Sequence, residues 1–194
     1  VYFRPGSRRI KTQAQAGFSL LELTIVVLIL GIMTAVMIPS FSSTDPQKLE
    51  LAAAQVAQAI RFARSEALRS GLHHGVTISQ VTQTISVIKW NLATNPVSIE
   101  TIPYHPINKQ SFEFNLDSLS LAHGIRISNS LDIFEYQTIG RRRSLIFNPQ
   151  GAPEWIMGVD GSRYRLLDAN VELGLGQSRI NINVAPLTGR VTVL

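Results

Sequence analysis

Hydrophobic and polar positions follow three successive rhythms along the chain. From Phe18 to Ile38 nearly every residue is Leu, Ile, Val, Met, Ala or Gly. At about 1.5 Å per residue this stretch spans roughly 31 Å as a helix, the thickness of a bilayer's hydrocarbon core. After Pro39 the chain turns polar through Ser40, Ser42, Ser43 and Thr44, and Asp45-Pro46 reads as an N-cap followed by proline at the first helical position. Leu49, Val56 and Ala63 then recur every seven residues, with Ala53, Ile60 and Ala67 interleaved, while Gln58, Arg61, Arg64 and Arg69 face elsewhere. This predicts an amphipathic helix ending at Ser70-Gly71.

Beyond Gly71 the pattern shifts to short β-rich runs bounded by Gly, Pro, Asn and Asp. The predicted strands are Val76-Ser79, Thr84-Trp90, Val97-Ile102, Ser111-Phe114, Ile125-Ser128, Ser144-Phe147, Arg163-Leu167, Val171-Leu175, Arg179-Val184 and Arg190-Leu194. The last two are expected to form a hairpin through Ala185-Gly189, and 91–140 reads only as variable strands and loops. The expected fold is α+β, with a long N-terminal helix, its first half transmembrane, packed on antiparallel β-sheets. The segments are a basic flank 1–17, a transmembrane half-helix 18–38, an amphipathic second half 39–70 and a β-rich globular domain 71–194.

Charge changes the picture by where it lies. The net charge of the 194 residues is +5, from 18 Lys and Arg against 13 Asp and Glu. Residues 1–17 contain Arg4, Arg8, Arg9 and Lys11 and no acid, which leaves a near-neutral chain from Phe18 onward. With basic residues on the N-terminal flank only, the positive-inside rule keeps residues 1–17 cytoplasmic and sends the rest to the periplasm or exterior. The apolar run exceeds the roughly 7–15 residues of a cleavable secretory signal, and Pro39-Ser40-Phe41 is a poor cleavage site. The chain has no cysteine, which excludes disulfides, thiol nucleophiles and cysteine-bound metals.

Glu22 lies inside the apolar run, where insertion scales charge a mid-bilayer carboxylate about 2.5–3.5 kcal/mol. Its position near the helix end allows two readings, hydration at the interface or a cationic partner.

The run Gly17-Phe18-Ser19-Leu20-Leu21-Glu22-Leu23, after a basic acid-free leader, closely resembles the type III signal of type IV pilins and pseudopilins. The resemblance implies that 1–17 is a prepilin leader, that a membrane prepilin peptidase cuts between Gly17 and Phe18, and that the new Phe18 amine is methylated. It also implies that Glu22 meets the positively charged N-terminus of a neighbouring subunit; pairing with a cation makes a buried carboxylate tolerable and sets axial register. Pro39 fits the same pattern, since a missing backbone donor loosens or kinks a helix. Three later segments resemble the GspH/FimT branch of minor pseudopilins and minor pilins: Ala63-Arg64-Ser65-Glu66-Ala67-Leu68-Arg69-Ser70-Gly71, Phe147-Asn148-Pro149-Gln150-Gly151 and Thr188-Gly189-Arg190-Val191. A type IV pilin-like fold is what this resemblance implies.

Candidate chemistry is sparse. His73, His74, His105 and His123 have no metal-binding spacing, and His73-His74 reads as the solvated start of a strand. Gly174-Leu175-Gly176 lacks the strand, helix and third glycine of a dinucleotide site, and Asp160-Gly161 reads as a turn. No metal or other cofactor is expected, and nothing points to an enzyme. Arg141, Arg142 and Arg143, with Arg163, Arg165, Arg179 and Arg190, form a phosphate-binding surface only if strand pairing gathers them. Some accessory pilins of the branch are thought to hold DNA through a C-terminal Gly-Arg-x-Arg; here Gly189-Arg190-Val191 matches, but Thr192 replaces the second arginine.

Two functions follow from the resemblance. The first is a structural subunit of the type II secretion pseudopilus. Its implied partners are other pseudopilins or pilins, the prepilin peptidase, an inner-membrane assembly platform and membrane lipid. The second is a minor type IV pilin that initiates pilus assembly or captures DNA. A plainer third reading is a tethered periplasmic domain that never enters a filament, which predicts no cleavage after Gly17 and a harmless Glu22→Ala.

Overall fold

The computed structural model describes residues 19–37, 45–92, 98–101, 105, 109–118, 123–128, 132–157 and 161–194. The chain divides into two compact units, Val1–Ser42 and Ser43–Leu194. Pro39 and the expected kink there lie outside the described residues.

In the first unit, helix α1 runs Leu20–Met37. Ser19 caps it: its Oγ accepts the Leu21 amide at 3.3 Å, and its carbonyl accepts the Glu22 and Leu23 amides at 3.0 and 3.1 Å. These bonds occupy amides that a helix start otherwise leaves without partners.

The second unit is built on helix α2, Asp45–Ser70. Its heptad-spaced residues are all buried, and Ala52, Ala57 and Ala59 extend the stripe. Small side chains on that face let the helix sit close to the sheets. The helix stops where expected, with Gly71 at φ +68° and its amide donating to Ala67 O at 3.1 Å.

Among the described residues twelve strands follow: β1 His73–Ser79, β2 Thr84–Asn91, β3 Ser98–Thr101, β4 Glu113–Asn115, β5 Arg126–Ile127, β6 Phe134–Tyr136, β7 Gly140–Arg142, β8 Ser144–Phe147, β9 Glu154–Ile156, β10 Arg163–Leu175, β11 Ser178–Val184 and β12 Val191–Val193. They form two antiparallel sheets. One has the order β3-β2-β1-β8, with β4 also on β2; the other has the order β12-β11-β10-β6-β7, with β5 and β9 also on β10. The predicted strands Arg163-Leu167 and Val171-Leu175 are one strand, β10, whose pairing with β6 shifts register between Leu166 and Asp168. Such an irregularity absorbs the polar interruption without ending the strand. The C-terminal hairpin forms as predicted, closed by Gly189 N to Ala185 O at 2.8 Å.

α2 contacts β1, β2 and β8 of one sheet and β10, β11 and β12 of the other. Its stripe meets Val76, Ile78, Ile85, Val87, Leu145 and Phe147 on the first and Val171, Leu173, Ile182, Val184 and Val191 on the second. Burial of each large aliphatic side chain contributes about 1.5–3 kcal/mol.

Polar links join the sheets. Arg143 alone separates β7 from β8, and its carbonyl accepts the Ile78 amide at 3.0 Å. Behind that crossing the buried Tyr136 hydroxyl donates to Ser144 O at 3.0 Å and accepts the Ile146 amide at 3.3 Å. Burial pushes this phenol's pKa far up, which keeps it a neutral donor. Gln83, buried in the β1–β2 turn, accepts the Ile127 amide of β5 at 2.7 Å.

Candidate functional site

Gly17 and Phe18, the expected processing site, lie outside the described residues. Glu22 lies in the first turn of α1 and is exposed, with no salt bridge among the described residues. Around it the apolar residues of α1 are open: Leu20 is 81% exposed and Leu28 64%. Among the described residues nothing covers them. Among the described residues no helix is long and apolar enough to cross a membrane; the expected 18–38 span includes positions outside them.

The arginines are not gathered. Arg141 is cross-strand from Glu135 and pairs with it at 3.0 Å, while the Arg142 guanidinium lies 5.9 Å from the centroid of the Trp155 ring. Arg163 pairs with Glu154 at 3.2 Å and Arg179 with Glu172 at 3.5 Å. Arg143 and Arg165 are exposed. Arg190 is exposed beside β12, at the opposite edge of the second sheet from β7. Four strand spacings of about 4.8 Å put the two edges roughly 19 Å apart.

The histidine reading is corrected by the structure. His73 and His74 are only 9% and 5% exposed, because β9 covers one and the end of α2 the other. Burial holds both imidazoles below their ordinary pKa. His105 is half-buried against Phe112, with ring centroids 4.2 Å apart, and His123 is exposed. No cluster of three or more His, Asp or Glu that could hold a metal occurs among the described residues. Gly174 sits within β10 opposite Arg179 and Arg126, in a sheet and not in a phosphate loop.

Sequence reasoning missed what the three GspH/FimT-like segments do together. Arg64 Nε donates to Gly151 O at 3.0 Å, and Arg61 Nη2 donates to Val191 O at 3.1 Å. Gly189, at φ +66°, packs so tightly that a Cβ would come within 2.8 Å of Gly151 O and Phe147 and 3.1 Å of Arg64. Asn148 Oδ1 accepts the Gln150 and Ala152 amides at 3.0 and 2.9 Å, which shapes the turn presenting Gly151 O. The three segments converge on one clamp that fastens α2 to the β8–β9 turn and to the C-terminal hairpin. Arg61 and Arg64, expected to face away from the core, are its helix-side members. The available signal was their i,i+3 spacing on one side of the helix.

With this geometry in view, comparison with known proteins is informative. Residues 12–38 match the family described as the prokaryotic N-terminal methylation motif. The body is similar to the minor pseudopilin EpsH from the type 2 secretion system of Vibrio cholerae. The TM-score is 0.50 at 12% identity, covering 76% of this chain and 96% of that one. It is also similar to the type IV minor pilin FimU of Pseudomonas aeruginosa, with a TM-score of 0.44 at 11% identity, covering 78% of this chain and 91% of that one. No curated protein matches significantly in sequence. The chain thus carries a prokaryotic N-terminal methylation motif and a type IV pilin-like α+β fold. Pilin-like proteins are processed by a prepilin peptidase and assemble into filaments with other pilins.

Proposed function

We propose that the chain is a minor pseudopilin, a non-catalytic structural subunit of the type II secretion pseudopilus that supports protein export across the outer membrane. The observation that carries this reading is α1: an exposed apolar helix, bearing one carboxylate at its start, within a methylation motif. Such a helix acquires a role once membrane lipid and then neighbouring subunits cover it. Cleavage between Gly17 and Phe18 creates a free amine, and methylation keeps its positive charge. That cation is the partner Glu22 lacks among the described residues, and the pair fixes the axial step between subunits. The body is periplasmic in this reading, and the inner-membrane assembly platform is the partner that inserts the subunit into the filament.

A fold shared with a type 2 secretion minor pseudopilin supports the secretion reading. The dispersal of Arg141, Arg142 and Arg143 from Arg190, and the acidic partners of Arg141, Arg163 and Arg179, argue against a DNA-binding face. Deleting the gene and following exported enzymes in the culture medium tests the assignment. Cargo trapped in the periplasm and released on complementation is the expected result. Unchanged export moves the reading to the minor type IV pilin. In that case the full chain should retard duplex DNA at low salt, and Arg142→Ala and Arg190→Ala should abolish the shift. Mature protein beginning at N-methylated Phe18, by mass spectrometry, is expected on either reading, and together with an assembly defect in Glu22→Ala it excludes a merely tethered domain.

A further inference from the structure

Strand β1 opens with two adjacent histidines, and consecutive strand residues point to opposite faces. His74 faces the last turn of α2. Its Nδ1 lies 3.1 Å from Leu72 O, to which it donates, and 3.3 Å from Ser70 Oγ, which itself donates to Glu66 O at 2.7 Å. His73 faces β9, with Nε2 3.5 Å from Glu154 Oε1 and no hydrogen-bond partner.

The charges around this pair are largely committed. Glu66 on α2 is bonded by Arg69 at 2.6 Å, and Glu154 on β9 by Arg163 of β10 at 3.2 Å. Lys89 of β2 stands opposite His74 and is itself the cross-strand partner of Glu100 of β3, while β8 brings Phe147 there and no charged side chain. Glu66 and Glu154 thus each already face an arginine before either ring is protonated, and two protons would add two cations to a buried corner.

We propose that this corner is an acid-sensitive joint, in which protonation of His73 and His74 loosens the hold of β1 on the last turn of α2 and on β9. Unfolded histidines protonate near pH 6.5, and the folded rings do so only at lower pH because burial disfavours the imidazolium. Below about pH 6.5 the unfolded chain therefore binds more protons than the folded one, and stability falls as pH falls.

The chain's two tryptophans report on this corner. Trp90 is the cross-strand partner of His73, and its ring centroid lies 5.1 Å from that of Trp155, the neighbour of Glu154. The experiment follows tryptophan emission and Tm of the full chain in a nonionic detergent from pH 8 to pH 5. The expected result is a red-shifted emission and a Tm lower by about 3–8 °C on acidification. A His73→Gln/His74→Asn double variant, in which Asn retains a donor toward Leu72 O, should lose at least half of both changes. If that variant does not fold, His73→Gln alone leaves the α2 contacts in place and is read by emission. A wild-type chain with flat emission and Tm, or a folded variant with the wild-type pH response, overturns the proposal.

Discussion

α1 and α2 are helices of the same chain that handle apolar side chains in opposite ways. α2 turns Leu49, Val56, Ile60 and six of its seven alanines into the core of its own unit, and its polar face is in part consumed by the clamp through Arg61 and Arg64. α1 keeps its leucines, isoleucines and valines exposed and has Glu22 as its acidic residue in the first turn. The difference teaches which parts of the sequence answer to folding and which to assembly. A helix whose stripe meets two sheets is specified by the chain; a helix apolar on all sides is specified by what will surround it.

Substitutions should divide along the same line. The largest expected effect is at Gly75, where a Cβ would collide with the Leu145 carbonyl oxygen and with Ile146. Gly75→Val should lower stability by more than about 4 kcal/mol and prevent the body from folding, as thermal melting would show. Ile60→Ala, at a fully buried position of the α2 stripe, should cost about 2–5 kcal/mol in denaturant titration. Arg64→Ala strips Gly151 O of its charged donor and should cost about 1–3 kcal/mol, with faster hydrogen exchange at the C-terminal hairpin. Glu22→Ala should leave the melt of the body unchanged while abolishing incorporation into filaments, measured by co-purification with the other subunits. A Glu22→Ala chain that melts lower would break the division, because Glu22 would then serve the fold of this chain.

The parts legible from sequence were those with a long period. α2 was readable because six apolar positions fall on one helical stripe over three turns and more, and its end because Gly71 supplies the left-handed turn. β8 was found with its bounds intact, since Ser144-Phe147 is a dense apolar run between turn signals. β6, β7 and β9 were not predicted. Each has three residues, too few to display alternation, and each is a strand only because a neighbour supplies its hydrogen bonds. The burial of His73 was hidden for the same reason, since the residue that covers it comes from β9, whereas His74 is covered by the last turn of α2, only four residues back. The resemblance flagged Arg64, Gly151 and Gly189 as separate motifs, and only the folded chain places them in contact. For the N-terminal segment, a short run of residue types carried the reading without any long-range contact.

The clamp also bears on how the subunit carries load. Tension along α2 reaches the sheets at three separate attachments: the covalent turn into β1, the Arg64 bond to the β8–β9 turn and the Arg61 bond beside β12. Attachments spread over the helix share a pull instead of yielding one after another. A body fastened in this way follows its helix without shedding its C-terminal hairpin.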